Sequence, residues 1–282
     1  MAAESHGTAQ ASRLRRIAKS IPPLYWSVGA LRYLRFRREL DAQRRAYAVQ
    51  QGAHRNPPPM LRYRVHGSFD ERGYEEMGQV LAGAIIDCLR DEHVELEHRE
   101  VLDFACGPGR VIRDFHERIP SARLAGSDID GEAIAWAQAN LGDIAAFHLN
   151  GGTPPTGFRD ASFDVIYCIS LFTHLDETSQ DVWLAELARV LRPGGALLTT
   201  VHGRGASASC TERERALLER DGIVFRVDRK GRFKLDGLPD SYQTTYHTRA
   251  YIERHWTRQF DVCAYREGGV HGHQDIALLS RR

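Results

Sequence analysis

The sequence has no close cysteine pair, no long apolar run and no excess of either charge. Its five cysteines, Cys88, Cys106, Cys168, Cys210 and Cys263, are far apart and odd in number. That excludes a disulfide scaffold or a zinc ribbon and points to free thiols in a reducing compartment. Lys and Arg total 38 against 37 Asp and Glu, so the chain as a whole carries no strong field toward nucleic acid or membrane. No stretch approaches the roughly 20 consecutive apolar residues of a membrane span, and the N-terminus lacks the apolar core of a signal peptide. A cytoplasmic, soluble protein is the expectation. No internal repeat or low-complexity tract is present.

The 282 residues are enough for one large decorated domain with a sizeable core. Residues 1–59 differ from the rest: ten Lys/Arg stand against three Asp/Glu up to Gln50, and "HRNPPP" then breaks any helix. This basic helical arm and linker is separated from a domain over 60–282. Within the arm, "LYWSVGALRYLRFRREL" mixes leucines with arginines. The reading adopted is a helix packed on its own domain or on a partner subunit; an interfacial helix contacting a membrane surface is the alternative.

From Gly78 the spacing of Leu81, Ile85 and Leu89 predicts a helix. Short apolar strands at 101–105, 122–130, 144–149, 162–170 and 196–201 then alternate with helices at 110–119, 131–141 and one aligned on Leu184, Leu187 and Leu191 that runs up to "RPGG". Such alternation implies a parallel sheet covered on both faces. Beyond Gly203 the pattern breaks. Residues 211–220 read as a helix, 223–235 as a hairpin turning at "DRKG", and 248–256 as a helix. The last two strands, 260–267 and 275–280, are close enough to pair antiparallel. The charged runs "TERERALLER" and "DRKGRFK" read as solvated faces.

In an open parallel sheet, ligands bind beyond the strand ends where strand order reverses. "VLDFACGPGR", residues 101–110, is placed there: Gly107 and Gly109 let the backbone turn and approach a ligand. Counting from Gly107 gives Gly, Pro, Gly, Arg, Val, Ile, so the third glycine of a dinucleotide fingerprint is missing. The P-loop Lys-Ser or Lys-Thr is also absent. Asp128 ends the next strand nineteen residues after Gly109, where a carboxylate can accept both hydroxyls of a ribose. A helix N-cap before "GEAIAW" is its alternative role.

These residues resemble the class I S-adenosylmethionine-dependent methyltransferases. "VLDFACGPGR" is similar to their first motif, "LAGSDID" to the second, "SFDVIYCISLFTHL" to the fourth-strand motif and "LARVLRPGGALLTTV" to the entry into strand five, in family order over about residues 100–201. The resemblance implies a Rossmann-like three-layer sandwich with a seven-stranded, mostly parallel sheet whose last strands are antiparallel. An N-terminal helical arm and a lid insertion over about 204–250, before the last two strands, would decorate it. It implies S-adenosyl-L-methionine as cofactor, with the turn from Asp103 to Gly109 holding the methionine half around Ala105 and Gly107. Asp128 would take the ribose and Ile129 would lie against the adenine. Asn150 would accept the adenine amino hydrogen bond in place of the family's acidic residue, and the region of Ile169 would complete the cradle. Arg64 is a candidate for the cofactor carboxylate.

Methyl transfer needs an aligned, desolvated acceptor and gains from a base of near-neutral pKa. His174 in "SLFTHL" matches a position the family often fills with His and is the first candidate. His202 in "TTVHG" and His247 in "YQTTYHT" follow. The tetrapeptide with which nucleic-acid enzymes of this family grip a flipped base is missing after strand four, so no nucleic acid partner is expected. "HGHQD" has no second ligand cluster, so no metal is expected. The expected activity is O-methylation of a small-molecule acceptor such as a sugar, a glycan or a natural product. A non-catalytic scaffold, or an enzyme acting on a macromolecule, is the alternative. Nothing in the chain sets an oligomeric state.

Overall fold

The computed structural model describes residues 22–49, 56–228 and 234–282, with side chains from Ser27 onward. Among the described residues three helices precede the sheet. Helix α1 is Pro22–Val49, and α2, Pro59–His66, starts with proline where its missing N–H has no helical partner anyway. Helix α3, Glu71–Asp91, begins seven residues before the Gly78 start expected from spacing. Asp70 caps it by accepting from Gly73 N–H, so polar first-turn residues are drawn into the helix. The linker residue Asn56 joins the arm to the domain: its amide donates to Glu71 and Glu75 and accepts from Arg113.

The sheet contains β1 Glu100–Phe104, β2 Arg123–Asp128, β3 Ala145–Leu149, β4 Phe163–Cys168, β5 Leu191–Val201, β8 Phe260–Val270 and β9 Gln274–Arg281, in the order β3-β2-β1-β4-β5-β9-β8. The first five are parallel; β9 is antiparallel to both β5 and β8. Helices α4 Arg110–Arg118, α5 Gly131–Leu141 and α6 Glu177–Val190 connect them. Leu191, expected to continue α6, already opens β5.

Alternating side chains divide the strands between two cores. Val101, Leu124, Val165, Tyr167, Leu198 and Leu278 pack with Ile85 of α3, Phe115 of α4 and Ile134 of α5. Leu102, Ile166, Leu197 and Leu279 point the other way, toward Trp183 and Leu187 of α6 and toward Ile252 and Trp256. The central strands are therefore apolar on both faces, which is why they read as continuous hydrophobic runs, whereas the edge strands β3 and β8 are partly exposed.

Between β5 and β8 lies a smaller unit. Helix α7, Glu212–Asp221, opens with a reciprocal capping box between Thr211 and Glu214. Strand β6, Ile223–Arg226, pairs antiparallel with β7, Thr244–His247, and α8, Arg249–His255, follows. This corrects the hairpin expected within 223–235. Most of its "DRKG" turn lies outside the described residues, and the partner of β6 comes from farther along the chain because Val224 and Tyr246 share an apolar cluster with Leu218.

Gly126 on β2 tests how tightly the layers meet. A Cβ there would lie 2.7 Å from Phe147 Cδ1 and 2.9 Å from Cys106 Sγ. Gly126→Ala is expected to destabilise the fold by about 1–3 kcal/mol in chemical denaturation, through overpacking; an unchanged midpoint would show that Phe147 yields freely.

Candidate functional site

Strand order reverses between β1 and β4, and a cavity of about 530 Å³ opens at their C-terminal ends. Its floor is the turn after β1. Ala105 (φ 65°) and Gly107 (φ 53°) both adopt left-handed backbone, and Gly109 (φ 79°) starts α4. For Ala105 that conformation costs about 1–2 kcal/mol. The turn is held from β2: Ala105 and Cys106 N–H donate to the Ser127 carbonyl at 2.7 and 3.1 Å.

Asp128 completes the hold. Its Oδ2 accepts from Gly107 N–H at 2.7 Å and its Oδ1 from Asp130 N–H at 2.8 Å. Burial raises the carboxyl above its ordinary range, against the lowering effect of those N–H groups. The N-cap role falls to Asp130 instead, which accepts from Glu132 and Ala133 N–H.

Asp103, at the end of β1, is 2% exposed, and its Oδ2 lacks a hydrogen-bond partner. Burial pushes its carboxyl up to about 8; the neighbouring Tyr167 phenol and Arg110 guanidinium favour the charged form and Asp128 opposes it. A buried carboxyl held short of partners is costly to ionise.

Ala105, Gly107, Ile129, Asn150 and Ile169 also line the cavity. Ile129 is 39% exposed, an apolar surface on offer to a ligand. The Asn150 amide oxygen, assigned from sequence to accept from a ligand, already accepts from Ser127 Oγ at 2.6 Å, which leaves it one lone pair. Gly109 does not line the cavity. A Cβ there would meet Leu141 and Ile112 at 2.6 and 3.1 Å, so this glycine serves helix-to-sheet packing. Arg64 sits on α2 at the wall, paired with Asp130 at 2.6 Å and Glu132 at 2.7 Å, and donates to the Asp236 carbonyl. Its charge is spent on joining α2, α5 and the insertion.

The three histidines separate. His174, after β4, lines the cavity, and its ring stacks on Tyr242 at 4.1 Å. Its Nδ1 bonds the Gln243 carbonyl, while Gln243 N–H returns a bond to the His174 carbonyl at 3.0 Å. A carbonyl only accepts, so Nδ1 carries the proton and Nε2 keeps its lone pair. Burial lowers the His174 pKa, so the ring is neutral at pH 7.

His202 and His247 are not on the cavity wall. His202 lies behind it, against His174, Tyr246 and His273, and burial lowers its pKa to about 4. His247 is 1% exposed. Its Nε2 donates to Gln180 Oε1 at 3.0 Å, because the Gln180 amide nitrogen is taken by the Phe172 and Leu175 carbonyls. Burial takes its pKa down to about 3. Both are packing groups of the insertion.

The sequence reading missed two members of the wall. Lys234, placed in a solvated run, has an 8% exposed side chain; its ammonium donates to the Pro239 and Tyr242 carbonyls at 2.6 and 2.7 Å and lies 5.4 Å from the Tyr242 ring centre. Gln243 acts through its backbone, which no composition signal reports. His271 and Gly272 form the β8–β9 turn with positive φ, and among the described residues no group of three or more His, Cys, Asp or Glu is arranged to hold a metal.

Residues 101–195 match the family model described as a methyltransferase domain. The malonyl-[acyl-carrier protein] O-methyltransferase of Hahella chejuensis is 29% identical over 36% of this chain and 35% of its own length. The demethylmenaquinone methyltransferase of Deinococcus radiodurans is 33% identical over 36% and 42%, and a phthiotriol/phenolphthiotriol dimycocerosates methyltransferase of Mycobacterium ulcerans 32% over 38% and 39%. The chain thus spans 35% to 42% of the length of these curated relatives. Among solved structures, a Pyrococcus horikoshii protein superposes with a TM-score of 0.55 at 16% identity, covering 78% of this chain and 98% of that one. An S-adenosylmethionine-dependent methyltransferase of Mesorhizobium loti gives 0.50 at 16%, covering 70% and 98%. The two likenesses show a common fold.

Asp103 generates a pH prediction. A carboxyl raised to about 8 in the fold, against about 4 when unfolded, adds stability fully present below about 4 and lost as pH rises to about 8. The ligand-free protein is expected to lose stability across that window in denaturant titrations, and Asp103→Asn to flatten the slope. An identical slope in both proteins would remove the buried acid as its source.

Proposed function

We infer that this chain, a member of the class I S-adenosylmethionine-dependent methyltransferases, moves a methyl group from S-adenosyl-L-methionine to an oxygen of a small acceptor with an apolar body. One observation carries the reading: a single cavity holds the β1 turn with its two carboxylates at one end and the unprotonated His174 Nε2 at the other.

The residues present fit the cofactor. The unpartnered Asp103 Oδ2 suits its ammonium, and each oxygen of Asp128, having accepted one N–H, retains a lone pair for a ribose hydroxyl. Exposed Ile129 offers a face for the adenine, and Asn150 its remaining lone pair. Bound there, the cofactor supplies a methyl on a sulfonium, activated for in-line displacement.

The chain's own part is alignment and proton handling. As the acceptor oxygen takes the methyl, its proton passes to His174 Nε2 and from there to solvent. Tyr242 stacked on the ring and Gln243 bonded to Nδ1 hold that imidazole in one orientation. Leu171, Leu175, Leu235 and Leu238 line the cavity with it. Such a wall serves a lipid-like or other apolar natural product better than a sugar or glycan. Two of the curated relatives point the same way: by name they act on demethylmenaquinone and on phthiotriol/phenolphthiotriol dimycocerosates.

Calorimetric titration with S-adenosylmethionine and S-adenosylhomocysteine tests the cofactor half, and absence of binding by both overturns the reading. Asp128→Ala is expected to weaken that binding by about 1–3 kcal/mol. With a labelled methyl donor and pooled apolar acceptors, His174→Ala is expected to cut turnover about 100-fold at nearly constant cofactor affinity. An unaltered rate would take the proton-accepting role from His174.

A further inference from the structure

Helix α1 meets the domain along one stripe only. Arg32, Phe36, Leu40, Gln43 and Tyr47 recur every three or four residues. Phe36 packs on Tyr63 and Phe69 with ring centres 4.9 and 5.6 Å apart, Leu40 is buried, and Arg32 reaches the cavity wall beside Tyr63. Most of the other described residues of the helix are open. Val28, Leu31, Leu34 and Val49 are 52%, 70%, 53% and 78% exposed, and with Tyr33 they make up five of the ten large hydrophobic side chains exposed among the described residues. Arg35, Arg37, Arg38, Arg44 and Arg45 are exposed between them.

Charge is segregated along the chain in the same sense. Residues 1–50 carry ten Lys/Arg and three Asp/Glu, whereas residues 51–282 carry 28 and 34. The near-neutral total therefore hides a basic arm on an acidic body.

We propose that the outer face of α1 docks on an anionic lipid surface. Leucines set among arginines suit a headgroup layer. The apolar side chains enter the acyl boundary while the guanidinium groups reach back to phosphates along their aliphatic stems. A second copy of the chain is a poor occupant, since a two-fold contact on this face would set its arginines against each other. Nucleic acid would meet the arginines but leave Leu31 and Leu34 uncovered.

Vesicle flotation of the full chain tests this, using phosphatidylcholine alone and an equimolar mixture with phosphatidylglycerol, at low and high salt. The protein is expected to float with the mixed vesicles only and to be released by salt. Leu31→Glu with Leu34→Glu, and separately Arg35→Glu with Arg38→Glu, are expected to lower the bound fraction about tenfold with unchanged circular dichroism and S-adenosylhomocysteine affinity. Equal recovery with both vesicle types, variants that float like the parent, or a parent dimer dissociated by the leucine variant would overturn the docking. A chain that binds S-adenosylhomocysteine yet never floats refutes the docking alone; one that floats without binding it supports the docking and refutes the cofactor reading.

Discussion

The cavity end of the sheet depends on the Asp128 carboxylate. Between Phe104 and Arg110 the chain must leave β1, reverse and enter α4, with left-handed backbone at Ala105, Gly107 and Gly109. Turned this way, the Gly107 amide finds its partner in Asp128, and the other oxygen of the same group takes the Asp130 amide of the next strand-to-helix turn. One side chain therefore closes two adjacent reversals and fixes how far β1 and β2 extend relative to each other. Without it, two part-buried amides would lose their partners, each at up to about 1–3 kcal/mol.

That economy has a counterpart in Asp103. Its neighbours, Tyr167 and Arg110, are themselves buried polar groups, and the carboxyl still lacks a full set of partners. A folded protein tolerates such a group where binding needs it, because the ligand completes the hydrogen bonding that the fold leaves open. The floor is thus fixed where Asp128 holds the backbone and short of hydrogen-bond partners at Asp103.

The β1-turn end of the cavity was legible in sequence because local signals specify it: glycines where φ is positive, an acidic residue at a strand end, and apolar runs for strands covered on both faces. Gly109 was misassigned to the ligand because its spacing cannot distinguish ligand approach from the close packing against Leu141 that it serves. Asn150 was placed at the right strand end, but its prior bond to Ser127 is a contact between strands that a linear reading does not contain. The early start of α3 was missed because a cap and a polar first turn leave no apolar period.

The His174 wall of the cavity was less legible because its contacts are long-range. His174 is oriented by Gln243, sixty-nine positions away, and α2 is tied to the insertion through Arg64 and Asp236, one hundred and seventy-two apart. In sequence His202 follows a strand as His174 does and His247 belongs to the insertion, yet only the packing of the insertion decides which ring faces the cavity. The same packing decides the chemistry. The Gln243 carbonyl is what fixes the proton on Nδ1, so the segment that bounds the acceptor space also sets the lone pair that would act on it. A change in 234–243 that reshapes the wall for a different acceptor therefore also disturbs the imidazole, which couples selectivity to reactivity in one stretch of chain.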